Sequence, residues 1–323
     1  MQGSKKNAPP PINGFLNLYK PIGITSMEAL RQVKRITGQR NKVGHGGTMD
    51  PLARGVLPVC FGQATRLMDH VVGGRKRYRM EIQLGVSTTT YDAEGEVVRE
   101  RDPSGITLDA VEGAIQGYVG VVQQIPPMYS AIKVQGQRLY KLARAGIEVE
   151  RKARPVEIHE IRILDCSPPI LVLEVDCGRG AYMRSLAQDL GESLGCGGHV
   201  SDLVRLSSGN FHADEAITPD QLEEASNATD GWEGHLHPVD WVLRDLKSIS
   251  VNAQTEKHLR HGQSISFSGP VMEAGYLEEF RAYSNEGRFL ALVRCDRPSS
   301  TWRPLKVFHI EAVSPFAPVP SNG

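Results

Sequence analysis

The chain has 323 residues, 40% of them hydrophobic and 23% charged, with 37 basic and 37 acidic side chains and a formal net charge of zero. That balance excludes a uniformly cationic protein that clings to any polyanion, and the composition is that of a soluble globular chain. No apolar run approaches the ~20 residues that a membrane helix needs, and the opening MQGSKKNAPPPING lacks the apolar middle of a secretory signal, which predicts a cytoplasmic location without membrane contact.

The five cysteines (Cys60, Cys166, Cys177, Cys196, Cys295) are odd in number and form no CxxC pair, so reduced thiols are expected rather than disulfides or a zinc site. Charge is spread unevenly. Residues 1–90 hold fourteen Lys/Arg against four Asp/Glu, whereas residues 210–245 hold nine acids and one Arg. A polyanion docking on the N-terminal part would fit this asymmetry.

In chain order, residues 1–11 read as a disordered leader rich in Pro, Lys and Gly. TSMEALRQVKRIT opens on a capping box, Thr25 to Glu28, and repeats apolar residues at Met27, Leu30, Val33 and Ile36, which predicts a helix. RYRMEIQLGV alternates Tyr78, Met80, Ile82, Leu84 and Val86 with polar side chains, the period of a half-buried strand. TLDAVEGAIQGYVG reads as a helix closed by glycine, and RLYKLARAG as another ending at Gly146. ILVLEVDC is a strand and AYMRSLAQDLGESLG a helix ending at Gly195. Strands and helices mix without a regular βαβ repeat, so the fold class is α+β with a mixed sheet. The acidic stretch 227–237 reads as a surface excursion. Short strands between turns predict a small β-rich domain at 249–312 after a larger one at 12–248, with a loose tail at 313–323.

Chemistry centres on KVGHGGTMDPLARGVLPVCFG. The Asp-Pro pair pushes Asp50 into an extended or turn conformation, and Gly44, Gly46 and Gly47 would admit a close approach from outside. Asp50 is either a turn residue or a nucleophile, and as a nucleophile it needs a cation to keep it ionised when desolvated. Arg184 lies on the flank of the apolar stripe Tyr182, Leu186, Leu190, Leu194, where it could pair with a carboxylate from elsewhere or reach solvent. Tyr78 is a core ring by periodicity, yet it sits among four cations in GGRKRYR, as base stacking on a phosphate-rich partner would require. His45 could be a planar wedge or an inert loop residue; it has no companion ligand at a useful spacing. No P-loop, GxGxxG after a strand, HExxH or GxSxG is present, so neither a nucleotide cofactor nor a catalytic metal is expected.

Five blocks in order, NGFLNLYKPIGITS, GHGGTMDPLARGVLPVCFGQATR, KRYRMEIQLGVSTTTYDAEG, QIPPMYSAIKVQGQRLYKLARAGIEVERKARPV and CGRGAYMRSLAQDLGESLGCGGHVSDLVRL, resemble the bacterial tRNA pseudouridine-55 synthases, the TruB family. Tyr19, Met49, Ala181 and Val204 depart from that pattern. The resemblance implies a pseudouridine synthase fold with a mixed, mainly antiparallel sheet flanked by helices, and a PUA-like RNA-binding domain over 249–312. It also implies an isomerase that uses no cofactor and acts in the T-arm of tRNA. By the same carry-over Asp50 is the nucleophile, Tyr78 stacks on the target base and takes a proton, and Arg184 pairs with Asp50. Tyr182 and Leu203 line the uracil pocket, and His45 fills the place of the extruded base. Lys20, Arg66, Arg75, Lys76, Arg77 and Arg205 are expected on phosphates. The bacterial-type segment Gln124–Arg154 points away from RNA-guided relatives that act with partner proteins, so a monomer without an obligatory protein partner is expected. A second function to weigh is a tRNA-folding protein whose main role needs no chemistry.

Overall fold

In the computed structural model the described residues are 12–130, 132–134, 136–147, 149–266 and 275–318. The expected leader and the end of the expected tail lie outside them.

Strand β1 (Gly14–Lys20) runs into helix α1 (Ser26–Ile36). Thr25 caps α1, with both halves of the capping box formed, so two N-terminal backbone donors find side-chain acceptors. The short β2 (Val43–His45) and the long β3 (Ala53–Phe61) follow, then α2 (Met68–Gly73) and β4 (Lys76–Leu84). A hairpin of β5 (Val86–Thr88) and β6 (Val97–Glu100) precedes α3 (Leu108–Ile115). The helix expected to run on to a closing glycine stops here. Residues 116–118 form a single 3₁₀ turn, and Gly120 opens β7 (Gly120–Gln124). Next come the hairpin β8 (Lys133–Val134) and β9 (Gln137–Arg138), α4 (Leu139–Arg144), β10 (Arg154–Ser167) and β11 (Ile170–Cys177). Helix α5 (Met183–Ser193), β12 (Gly198–Ser208), β13 (Phe211–His212), α6 (Pro219–Asn227) and β14 (Leu236–His237) complete the larger unit.

Its sheet has the order β14-β1-β3-β12-β4-β11-β10-β7, with β13 on β12 and β2 on β3. Among the described strand pairs of this sheet, β12 and β3 run parallel and the rest antiparallel, so the sheet is mixed and mainly antiparallel as expected. A second sheet, β15-β17-β18-β19-β16, is built from β15 (Ser248–Val251), β16 (Ile265–Ser266), β17 (Glu279–Ser284), β18 (Phe289–Asp296) and β19 (Thr301–Val307), with α7 (Ala253–Arg260) against it.

Strand β3 is almost continuously buried because it is covered on both faces. Ala53, Leu57, Val59 and Phe61 enter the main core, while Val56 and Cys60 meet Tyr283, Phe289, Leu292 and Phe308 of the C-terminal part. A polar lock reinforces that junction. The Tyr283 hydroxyl donates to the buried Asp240 at 2.5 Å and accepts from Arg281 at 3.0 Å.

The stretch 227–237 is not a free excursion. Trp232 is 5% exposed and packs on Phe61 at a centroid distance of 5.2 Å, and Leu236 and His237 extend the sheet along β1. A large ring gains more from burial than an acidic neighbourhood costs. The glycines also have an internal explanation. A Cβ on Gly46 would stand 2.3 Å from Val71 Cγ1, and Gly47 has φ of 115°, so the loop needs them for its own packing and turn.

Candidate active site

Asp50 sits in the loop between β2 and β3, and its backbone neighbours are tied on both sides. The Ser26 hydroxyl, at the start of α1, accepts the Met49 N–H at 2.7 Å and donates to the Met49 carbonyl at 3.2 Å. Beyond Asp50, the Pro51 carbonyl accepts the Gly23 N–H at 2.8 Å. The Lys20 ammonium adds donations to Pro21 at 2.9 Å, Ile24 at 2.6 Å and Pro51 at 3.5 Å. A chain fixed at both flanks leaves the Asp50 side chain as the free element, projecting into a cavity of about 400 Å³.

Arg184 enters that cavity from the first turn of α5 and is 4% exposed. Its Nε lies 2.9 Å from Asp50 Oδ2 and its Nη1 3.2 Å from Asp92 Oδ2. It also donates to the carbonyls of Thr90 at 3.2 Å and Tyr129 at 2.7 Å. Asp92 is in turn gripped by the Thr90 hydroxyl and by the Glu94 N–H at 3.1 Å. One guanidinium therefore serves two carboxylates. Burial raises the Asp50 pKa above its ordinary value, Arg184 pulls it back, and Asp92 pushes the same way as burial. Lys20 is lowered to about 8, chiefly by burial, with Asp50 opposing. Asp92 and Gln124 are the site residues that sequence reading missed. Asp92 lies inside a matched block, but nothing in its spacing points to Arg184.

Tyr78 on β4, Leu203 on β12 and Tyr182 at the cap of α5 line the cavity together with Asp50 and Arg184. Burial raises the Tyr78 hydroxyl, and the guanidinium of Arg205, its register partner on β12, acts against that. Gln124, at the end of β7, clamps the Tyr182 peptide from both ends. It accepts the Tyr182 N–H at 2.9 Å and donates to the Tyr182 carbonyl at 3.2 Å. The Ser185 hydroxyl donates to Ile125 at 2.7 Å, so the segment after β7 is docked on the start of α5.

The six cations expected on phosphates do not form one surface. Lys20 is fully buried (0% exposed) among carbonyls, and Arg205, 1% exposed, donates to Val56 at 2.6 Å; neither lies on an outer face. Lys76 is buried too and stands in the cavity wall. Strand alternation turned these three inward, which no charge count reveals. Arg66 donates to Val307 and lies 5.1 Å over the Phe308 ring, so it ties the C-terminal sheet down. Arg75 and Arg77 stay exposed, beside Asp176 and, for Arg77, Glu174. His45 is half-buried on β2 opposite Val59, outside the cavity lining, with its imidazole pKa lowered by burial.

Residues 34–183 match the family model described as "TruB family pseudouridylate synthase (N terminal domain)", and residues 184–244 match "tRNA pseudouridylate synthase B C-terminal domain". Both matches end before β15. The chain is similar to the tRNA pseudouridine synthase B of Clostridium acetobutylicum, 42% identical over 87% of this chain and 95% of the relative. It is equally similar to that of Dehalococcoides mccartyi, 42% identical over 92% of this chain and 97% of the relative. Among solved structures, a chain in a crystal structure of a Cbf5-Nop10-Gar1 complex superposes with a TM-score of 0.69 at 21% identity, over 95% of this chain and 87% of that one, a likeness of fold.

Proposed function

Because the chain belongs to the TruB family of pseudouridylate synthases, we propose that it isomerises the uridine at position 55 in the T-arm of tRNA, with Asp50 as nucleophile. The observation that carries this reading is a carboxylate on the wall of a roomy cavity, ion-paired at 2.9 Å to a buried arginine.

Asp50 attacks the uridine, at the ribose C1′ or on the base. Either route breaks the N1–C1′ bond, lets the detached uracil turn, and forms the C5–C1′ bond. The hydrogen on C5 then leaves as a proton, N1 takes up a proton, and the carboxylate is released. Product and substrate have the same atoms, so the reaction consumes no oxidant, reductant or nucleotide. Positioning and electrostatics carry it. Arg184 holds Asp50 ionised and aimed. Tyr78 stacks on the base and takes the departing proton as its phenolate, the form that Arg205 favours against burial. Tyr182 and Leu203 enclose the ring. The target base is flipped out at a cost of a few kcal/mol, and His45 fills the gap it leaves. In this reading the chain acts on tRNA as a monomer, without a protein partner, in the cytoplasm.

The test is tritium release from an unmodified tRNA transcript labelled at uracil C5. Release by the wild type, abolished by Asp50→Asn and by replacement of the position-55 uridine, is expected. Wild-type protein that binds the transcript and releases no tritium would overturn the reading.

A further inference from the structure

We infer that Gln124, which stands outside the cavity lining, is a positioning residue: by gripping the Tyr182 backbone at the head of α5 it fixes where Arg184 stands, and through Arg184 it aims Asp50. The contacts form one short chain. Gln124 ends β7, an outer strand of the large sheet, where its backbone pairs with Arg154 of β10. It is 2% exposed, and both groups of its carboxamide act on a single residue. The oxygen accepts the Tyr182 N–H at 2.9 Å and the nitrogen donates to the Tyr182 carbonyl at 3.2 Å. A buried amide satisfied at both groups is held in one orientation.

Helix α5 depends on this grip because its own cap is poor. The N-cap residue is Tyr182, whose side chain makes no cap bond, whereas Ser, Thr, Asp or Asn ordinarily secures that position. The first helical bond, from the Leu186 N–H at 3.1 Å, ends on the same Tyr182 carbonyl that Gln124 holds. Gln124 thus caps from another element a helix that does not cap itself. Two further contacts from the segment after β7 reach the same turn. The Ser185 hydroxyl donates to Ile125 at 2.7 Å, and Arg184 Nη2 donates to Tyr129 at 2.7 Å. Arg184 lies two residues beyond Tyr182, so a shift of the first turn is passed directly to the guanidinium that meets Asp50 at 2.9 Å.

The charges around Asp50 make such a shift measurable. Burial raises the Asp50 carboxyl, Arg184 opposes it most strongly, Asp92 pushes with burial, and Lys20 opposes it more weakly. Glu94, Tyr78 and Tyr182 also interact with Asp50. Of these groups Arg184 and Tyr182 belong to the start of α5. Loosening that turn leaves burial less opposed, and the Asp50 midpoint moves up. The expected effect on turnover rests on the proposed function; the effect on Asp50 does not.

The experiment is a 13C NMR pH titration of protein labelled at its aspartate carboxyl carbons, with the Asp50 signal assigned by its loss in Asp50→Asn, followed by tritium release from tRNA. Gln124→Met keeps the length of the side chain and removes both hydrogen bonds. In it Asp50 is expected to titrate at a higher pH than in the wild type. Its kcat should fall by on the order of 10- to 100-fold, with the Kd for tRNA unchanged. Gln124→Ala should move both quantities in the same direction, and it decides the matter where the Met variant does not fold. Tyr283→Phe, which loosens the C-terminal junction, is the control for lost stability and should leave the Asp50 midpoint in place. A Gln124 variant that melts lower but keeps the wild-type Asp50 midpoint would overturn the inference. A wild type that releases no tritium, with the Asp50 midpoint still raised in Gln124→Met, keeps the positioning role and loses the proposed function. Tritium release that Gln124→Met matches in kcat and in Asp50 midpoint does the reverse.

Discussion

Asp92, 2% exposed, lies 3.2 Å from Arg184 through its Oδ2, on the same guanidinium that reaches Asp50 at 2.9 Å. The second carboxylate has no way into the chemistry except through the arginine. It holds Arg184 from behind while the Thr90 and Tyr129 carbonyls fix the remaining N–H groups. Aim, rather than charge alone, is what this arrangement supplies to Asp50.

Asp92→Asn should therefore act on turnover rather than on binding. Loss of one anchor lets the guanidinium drift, and a misplacement of about 1 Å can cost on the order of 100-fold in rate. The expected outcome is a fall of that order in kcat for tritium release, with the Kd for tRNA unchanged. A variant with wild-type kcat would show that Asp92 has no part in positioning.

Asp50→Asn should abolish turnover without destabilising the protein. The folded-state pKa of Asp50 is raised, first by burial, so ionising it costs more in the fold than in the unfolded chain, with Arg184 offsetting part of that cost. The contribution of such a group is complete below the unfolded value and is lost as the pH climbs through the raised folded value. Replacing the carboxylate by an amide removes that neutral-pH penalty, and Arg184 keeps Asp92. At pH 7 the variant should melt at or above the wild-type temperature, and the gap should close as the pH falls toward 4. A variant that melts well below the wild type at pH 7 would contradict this. For the wild type, kcat/KM should rise with pH through a midpoint above the ordinary carboxyl value.

Ser26→Ala should weaken the same loop through its backbone. The change leaves the buried N–H and C=O of Met49 without their partner. Each unsatisfied group costs about 1–3 kcal/mol. A lower melting temperature and a reduced kcat, rescued by Ser26→Thr, are expected.

Tyr283→Phe should separate stability from catalysis. It removes one donor to the buried Asp240 and one acceptor for Arg281, at the junction with the C-terminal sheet. A loss of about 1–3 kcal/mol in unfolding free energy is expected, with tritium release per folded molecule unchanged. Loss of turnover without loss of stability would instead tie this junction to the chemistry.

Local physics made a good part of the molecule legible before any coordinates. The capping box of Thr25 and Glu28 acts within one turn, and the strand of Tyr78, Met80, Ile82 and Leu84 declares itself by a period of two. The order of the five blocks carried the family, and with it Asp50, Tyr78, Arg184, Tyr182 and Leu203, which the structure gathers in one cavity. Helix α3 was overextended, because a run with two internal glycines has no local signal for where the sheet edge takes over.

What only the tertiary structure decided were the partners. Arg184 is 134 positions from Asp50 and 92 from Asp92, and Gln124 is 58 from Tyr182. No periodicity spans such gaps, since a strand or helix repeats over two to four residues while sheet order is set by which faces can be buried together. The same holds for the cations. Lys20, Lys76 and Arg205 were all expected on phosphates, and β1, β4 and β12 turned them inward because their neighbours along each strand were needed in the cores on either side.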